Sequence, residues 1–68
     1  MSKSFRFIGN ATRTDVAGAA FINELAESAI LCECISIAAA WGDQDEVTGD
    51  SLISSATIYE AVKRLTKD

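Results

Sequence analysis

The chain has 68 residues, of which ten are acidic, six are basic and none is histidine, so its net charge is −4. A chain this short holds one small domain, whose core rarely contributes more than about 3–5 kcal/mol without a disulfide, a metal or a partner chain. The acidic balance and the scattered Lys and Arg residues argue against a nucleic-acid partner, which requires clustered positive charge.

The sequence argues against two of these three means of stabilisation, the disulfide and the metal. Cys32 and Cys34 are two positions apart, so on a helix they point about 200° apart and cannot form a disulfide within one chain. Two cysteines without histidine also fall short of a zinc-binding set, and we expect no metal or other cofactor. Association with a second chain remains, which predicts a homodimer.

The N-terminal sequence and the thiols indicate the compartment. The start, MSKSFRF, has charge but lacks the apolar region of a signal peptide. Two unpaired thiols then favour the reducing cytoplasm. The apolar stretch later in the chain is interrupted by Asn23, Glu24, Glu27 and Glu33, so we do not expect it to span a membrane.

Residues 1–13 read as an arm followed by a helix cap. Phe5 and Phe7 alternate with Arg6, which gives a short extended segment one aromatic and one polar face. Such a segment either covers the core of its own chain or pairs with its copy in a second chain. Thr14 is the expected N-cap of the following helix, with Thr12 as the alternative.

Residues 14–41 are predicted to form one long helix, because the segment is rich in alanine and aliphatic residues and contains no proline. At 100° per residue, its apolar residues fall into two stripes. The first stripe contains Phe21, Leu25, Cys32, Ile35 and Ala39; the second contains Ile22, Ala26, Ile30, Ile37 and Trp41. Two stripes need two partners, which we expect to be the second helix of the chain and a second copy.

Gly42 is expected to end this helix in the left-handed conformation, and residues 42–50 to form an acidic loop. The acids of the loop do not follow the spacing of an EF-hand, which indicates a solvated connector. A second helix is predicted for residues 51–66, capped by Asp50 or Thr48.

The second helix has an amphipathic pattern. Its apolar stripe contains Ile58, Ala61, Val62 and Leu65. Glu60 and Arg64 lie four positions apart, so we expect an ion pair between them. This pattern predicts one face packed against the first helix and one face in water.

No catalytic or phosphate-binding motif occurs, and the chain lacks histidine, the commonest general base, so we do not expect an enzyme. The residues expected in the core or at the dimer interface are Phe21, Ile22, Leu25, Ile30, Cys32, Ile35, Ile37, Ile58, Val62 and Leu65. The candidate partner-binding residues are Leu31, Glu33, Trp41 and Tyr59. Glu33 lies between the two apolar stripes of the first helix, where we expect it to be either exposed or paired with Arg6, Arg13 or a lysine. Trp41 is expected to be a core residue, with partner binding as the alternative.

A phenylalanine-rich arm (SFRFIG), a long alanine-rich segment (AGAAFINELAESAILCECISIAAAW) and a second segment ending in EAVKRLTKD follow one another. This layout resembles small bacterial and phage proteins that form helical-hairpin dimers, such as Rop-type plasmid regulators and phage-encoded inhibitors of host regulators. The resemblance implies a dimeric four-helix bundle. However, the first helix lacks the exposed basic and amide residues of an RNA-binding face.

The sequence therefore predicts an all-α fold: an antiparallel helical hairpin with a short extended arm that dimerises into a four-helix bundle. The predicted function is that of a small non-enzymatic interaction module that regulates or inhibits a cellular protein. The alternatives are a hairpin-dimer RNA regulator and a purely structural dimerisation module.

Overall fold

Two strands and three helices make up the part of the chain that the computed structural model describes, residues 4–19 and 24–67. In chain order these are β1 (Phe5–Phe7), α1 (Arg13–Ala19), α2 (Glu24–Trp41), β2 (Ser51–Ile53) and α3 (Ser55–Thr66). The fold is mixed α/β, so the predicted all-α helical hairpin is wrong. No helix in these ranges is long and apolar enough to cross a membrane.

The N-terminal arm is a strand that pairs in parallel with β2 of the same chain. Phe5 lies beside Ser51, and Phe7 beside Ile53. The ladder extends at both ends, where Ser51 N–H donates to the Ser4 carbonyl at 3.2 Å and Ile8 N–H donates to the Ile53 carbonyl at 3.0 Å. Since Phe5 and Phe7 also pack against the core, the arm covers its own chain, which was the first of the two predicted alternatives.

β2 has backbone partners on its other edge as well. The segment that follows α2 runs antiparallel to it, with a single bridge between Gln44 and Ser51. Leu52 N–H donates to the Asp43 carbonyl, and Asp45 N–H donates to the Asp50 carbonyl, both at 2.8 Å. Strand formation therefore occupies residues 51–53, where the sequence predicted the first turn of a helix.

α3 begins later than predicted because Ser54 is its N-cap, in place of Asp50 or Thr48. Ser54 has extended backbone angles (φ −104°, ψ 174°), and its hydroxyl accepts a hydrogen bond from Thr57 N–H at 3.3 Å. The buried Thr57 hydroxyl lies 3.2 Å from the same oxygen. The predicted end of the helix near Thr66 is confirmed.

Replacing Ser54 with alanine is expected to lower the free energy of unfolding by about 1 kcal/mol, because Thr57 loses the acceptor for its N–H. The matched control is Ser55→Ala, in the next residue, which is exposed and is not the N-cap of α3. Urea unfolding followed by circular dichroism measures both. Equal losses in the two variants would contradict the assignment of the cap.

The predicted single helix over residues 14–41 is replaced by two helices, with residues 20–23 outside the described residues. α1 packs against both α2 and α3, so it forms an element of its own. Its N-cap is Thr12, the alternative to Thr14. Thr12 Oγ1 accepts from Asp15 N–H at 3.1 Å, and Asp15 Oδ2 accepts from Thr12 N–H at 2.9 Å. This reciprocal pair has the geometry of a capping box.

α2 ends at Trp41, and Gly42 follows in the left-handed conformation, as predicted, with φ +82°. Gly42 N–H donates to the Ala39 carbonyl at 3.2 Å, and Asp43 N–H donates to the Ala38 carbonyl at 2.8 Å. These two bonds form a Schellman motif, which satisfies the last carbonyls of the helix. The left-handed glycine also turns the chain back towards β2.

α2 and α3 pack against each other in opposite directions. Glu33, in the middle of α2, contacts Arg64 near the end of α3, whereas Asp43, just beyond α2, bonds to Leu52 shortly before α3 begins. The core lies between these helices, α1 and one face of the sheet. Its buried residues are Ala11, Val16, Ile30, Cys34, Ile37, Ile53, Ile58 and Ala61.

Candidate protein-contact surface

From Ala29 to Trp41, α2 is apolar on nearly every side, with Glu33 and Ser36 as its polar residues, but the other described elements cover only one side of it. Ile30, Cys34, Ile37 and Ala38 are buried, and at 100° per residue they span about 100° of the helix. The opposite side is exposed and carries no charged residue. We call this side the outer face of α2; it consists of Ala29, Cys32, Ser36, Ala39 and Ala40.

The two stripes predicted for the long helix thus separate into an inner and an outer one. Ile30 and Ile37, from the second stripe, are buried against the remainder of the fold. Cys32 and Ala39, from the first stripe, lie on the outer face, and Ile35 is half-buried at its border. The structure therefore places Cys32 and Ala39 of the first stripe at the surface, which the sequence alone left open.

One border of the outer face is apolar and the other is charged. Leu31 and Ile35 are half-buried and pack against the core. On the other border, Arg64 Nη1 contacts Glu33 Oε2 at 3.5 Å, and Arg64 Nε contacts Glu60 Oε2 at 3.2 Å. The predicted Glu60–Arg64 pair is confirmed, and Glu33 takes Arg64 as its partner instead of the three predicted.

The two remaining candidate partner-binding residues lie on different helices. Trp41 is the last residue of α2 and is 47% exposed, so the expectation that it fills the core is wrong. Tyr59 is 71% exposed on α3. Aromatic side chains in such positions supply large contact areas in interfaces, but neither lies on the outer face of α2.

The predicted core and interface residues divide into four groups. Ile30, Ile37 and Ile58 are buried, and Ile35 and Val62 are half-buried. Cys32 and Leu65 are exposed in the single chain. Phe21 and Ile22 lie outside the described residues, and Leu25 lies where the structure describes the backbone alone.

The two cysteines occupy opposite sides of α2. Cys34 is fully buried, and Cys32 is exposed on the outer face. Burial raises the pKa of the Cys34 thiol from 9.0 to about 11, and the adjacent Glu33 carboxylate adds to the increase. Cys34 is therefore a neutral, apolar core side chain, while Cys32 contributes a thiol to the surface.

Asp45 organises the loop after α2, and the sequence interpretation of this loop as a solvated connector missed it. Its Oδ1 accepts from Val47 N–H at 2.8 Å and from Thr48 N–H at 2.9 Å. Its Oδ2 bonds to Arg6 Nη1 at 3.0 Å, which ties the loop to β1. The local signal was present, because an Asp side chain in a turn commonly accepts a hydrogen bond from the backbone N–H two residues further on.

The stability of the chain is expected to fall in acid through Asp45. The Thr48 and Val47 N–H groups, with Arg6, hold the pKa of this carboxyl below its usual value of 3.8. Because the folded pKa is lower than the unfolded one, the stabilisation is complete above about pH 4 and is lost as the pH falls through the folded pKa. Urea unfolding at a series of pH values measures the loss.

Asp45→Asn is the matched control for this pH dependence, because asparagine keeps the Oδ1 acceptor and does not titrate. The variant is expected to lose less stability than the wild type between about pH 4 and pH 2. Parallel losses in the two proteins would show that other carboxyl groups cause the acid sensitivity.

The described residues provide a contact surface but no group of side chains that could hold a metal ion. Within residues 4–19 and 24–67, no three His, Cys, Asp or Glu residues are grouped so as to hold a metal ion. Comparison with protein-family models, with curated proteins and with solved structures finds no match to the chain.

Proposed function

We propose that this chain is a protein–protein interaction module, without enzymatic activity, that regulates another protein of its cell by binding it through the outer face of α2. One observation carries the proposal: from Ala29 to Trp41, α2 is apolar on nearly every side, yet the described residues cover only one side of it. A helix with apolar residues on every side is normally buried within a larger core. A bound partner would supply the missing cover.

The composition of the outer face suits contact with another helix. Alanine, serine and cysteine are small, so a partner backbone can approach closely and make many van der Waals contacts. Leu31 and Ile35, at one border, provide larger apolar groups that a partner can finish burying. No charge on the face has to be desolvated, so the penalty that buried charges impose does not arise.

The charge pattern favours a protein partner over nucleic acid. Arg64 is paired with both Glu33 and Glu60. With a net charge of −4, the chain also repels a phosphate backbone. The free thiols favour the cytoplasm as the place of action.

The test uses two exposed alanines in a capture experiment. The full chain, Ala39→Arg and Ala56→Arg are immobilised, and proteins retained from the source cells are identified and purified. Ala39 lies on the outer face, and Ala56 is exposed on α3. We expect Ala39→Arg to weaken the purified binary complex about tenfold or more, because it places an unpaired charge in an apolar contact.

Ala56→Arg is the matched control and is expected to bind like the wild type. A positive charge is favourable in the C-terminal turn of α2 and unfavourable in the first turn of α3. We therefore expect Ala56→Arg to be less stable than Ala39→Arg. A binary complex that tolerates Ala39→Arg would exclude the outer face as the contact. The predicted homodimer is checked by sedimentation equilibrium of the same variants, and self-association lost in Ala39→Arg would identify a second copy as the occupant.

A further inference from the structure

The sheet has one closed edge and one open edge. Residues 43–45 cover the far edge of β2 through the bonds to Leu52 and Asp50. β1 lies on the other side and, among residues 4–19 and 24–67, has β2 as its single strand partner. The Ser4 carbonyl and Ile8 N–H point towards β2, and because successive residues of a strand alternate, the backbone groups of Phe5 and Phe7 point away from it.

The open edge therefore presents two N–H donors and two carbonyl acceptors in a row. None of the hydrogen bonds among residues 4–19 and 24–67 uses these four groups. An unpaired strand edge is a template for an added strand, in which main-chain bonds give affinity and alternate side chains give specificity.

The side chains of β1 define which strand fits. Phe5 and Phe7 lie on the core side of the sheet, half-buried, with ring centroids 5.3 Å apart in an edge-to-face arrangement. Arg6 lies on the opposite side and is 56% exposed. Its guanidinium has five N–H donors, of which one bonds to Asp45, so donors remain for a second carboxylate.

We propose that the open edge of β1 binds an extended segment of another protein in which one acidic residue stands between two apolar residues. The apolar residues lie beside Phe5 and Phe7, and the acidic residue lies beside Arg6. This site is separate from the outer face of α2 and does not depend on it.

The charge of Arg6 argues against a second copy as the occupant. In an antiparallel pair of β1 strands, the register that uses all four free groups places Arg6 opposite Arg6. Like charges directly opposite each other destabilise a strand pair. A carboxylate at the same position has the complementary sign, which favours the acidic segment.

The test is a titration of the full ¹⁵N-labelled chain with two capped peptides, Ser-Thr-Val-Glu-Val-Thr-Ser and its counterpart with lysine in place of glutamate. Amide hydrogen exchange is read at each residue. We expect the glutamate peptide at saturation to slow exchange at Phe5 and Phe7 about tenfold or more. The lysine peptide is expected to bind roughly two- to fivefold more weakly, as a single cross-strand charge pair allows.

Arg6→Glu tests in the same assay whether the charge at position 6 selects the peptide. We expect this variant to bind the lysine peptide more tightly than the glutamate peptide. Equal binding of the two peptides to the wild type would overturn the acidic specificity. Unchanged exchange at Phe5 and Phe7 up to millimolar peptide would overturn the site. Protection of these amides that rises with protein concentration in the absence of peptide would also overturn the proposal, because the occupant would be a second copy.

Discussion

Ile37→Ala is expected to leave most of the chain unfolded. Ile37 is fully buried in the middle of α2, within the cluster that joins this helix to β2 and α3. Truncating a buried isoleucine to alanine costs about 2–5 kcal/mol. A chain of this size rarely has more than about 3–5 kcal/mol in total. Urea unfolding followed by circular dichroism at 25 °C measures the loss.

Val47→Ala is the control for Ile37→Ala. Val47 is 93% exposed in the loop after α2, so removing its two methyl groups creates no cavity. A change within about 0.5 kcal/mol is expected. A loss below about 1 kcal/mol for Ile37→Ala would show that the core does not pack around this side of α2.

Cys32 is expected to react with iodoacetamide in the folded chain, while Cys34 stays unmodified until the chain unfolds. The increase in the Cys34 pKa from 9.0 to about 11 lowers its thiolate population about a hundredfold near neutral pH, and burial blocks access as well. The single variants Cys32→Ser and Cys34→Ser separate the two rates, which mass spectrometry measures.

Urea provides the internal control for this experiment. In unfolded chains, the two cysteines are expected to react at similar rates, because the difference arises from the fold. Comparable rates in the folded variants would contradict the burial of Cys34, and with it the assignment of α2's inner and outer sides.

Local signals in the sequence predicted the parts of the fold that depend on neighbouring residues. Gly42 ends α2 because a glycine after a helical segment adopts the left-handed conformation at low cost. Glu60 and Arg64 pair because they are one helical turn apart. Ile30 and Ile37 face inwards because their spacing places them on one stripe. Each of these features needs fewer than about ten residues of context.

The features that the sequence analysis missed depend on distant or competing interactions. β2 is three residues long, and its partner β1 lies 46 positions earlier in the chain (51 − 5), so neither strand has a distinctive local signal. Because the sequence analysis predicts a helix from Ser51, it does not identify Ser54 as the N-cap. The ion pair between Arg6 and Asp45 joins the same distant segments, and the carboxylates of the loop were consequently interpreted as a solvated connector.

Helical periodicity identified two apolar stripes on the long helix and the need for two partners. It could not show that α1, β2 and α3 together cover one stripe, because the sheet was not foreseen. The structure locates the uncovered stripe at Cys32 and Ala39, away from Trp41 and Tyr59.

The most direct test of the contact surface uses Cys32 as a reporter on the outer face of α2. The rate at which iodoacetamide modifies Cys32 is measured with and without a saturating amount of the purified partner. A partner seated on the outer face is expected to slow the reaction about tenfold or more, because it excludes solvent and reagent from the thiol. Ala56→Cys in a Cys32→Ser background, with its thiol on α3, should keep its rate. An unchanged Cys32 rate in the complex would contradict the proposed contact.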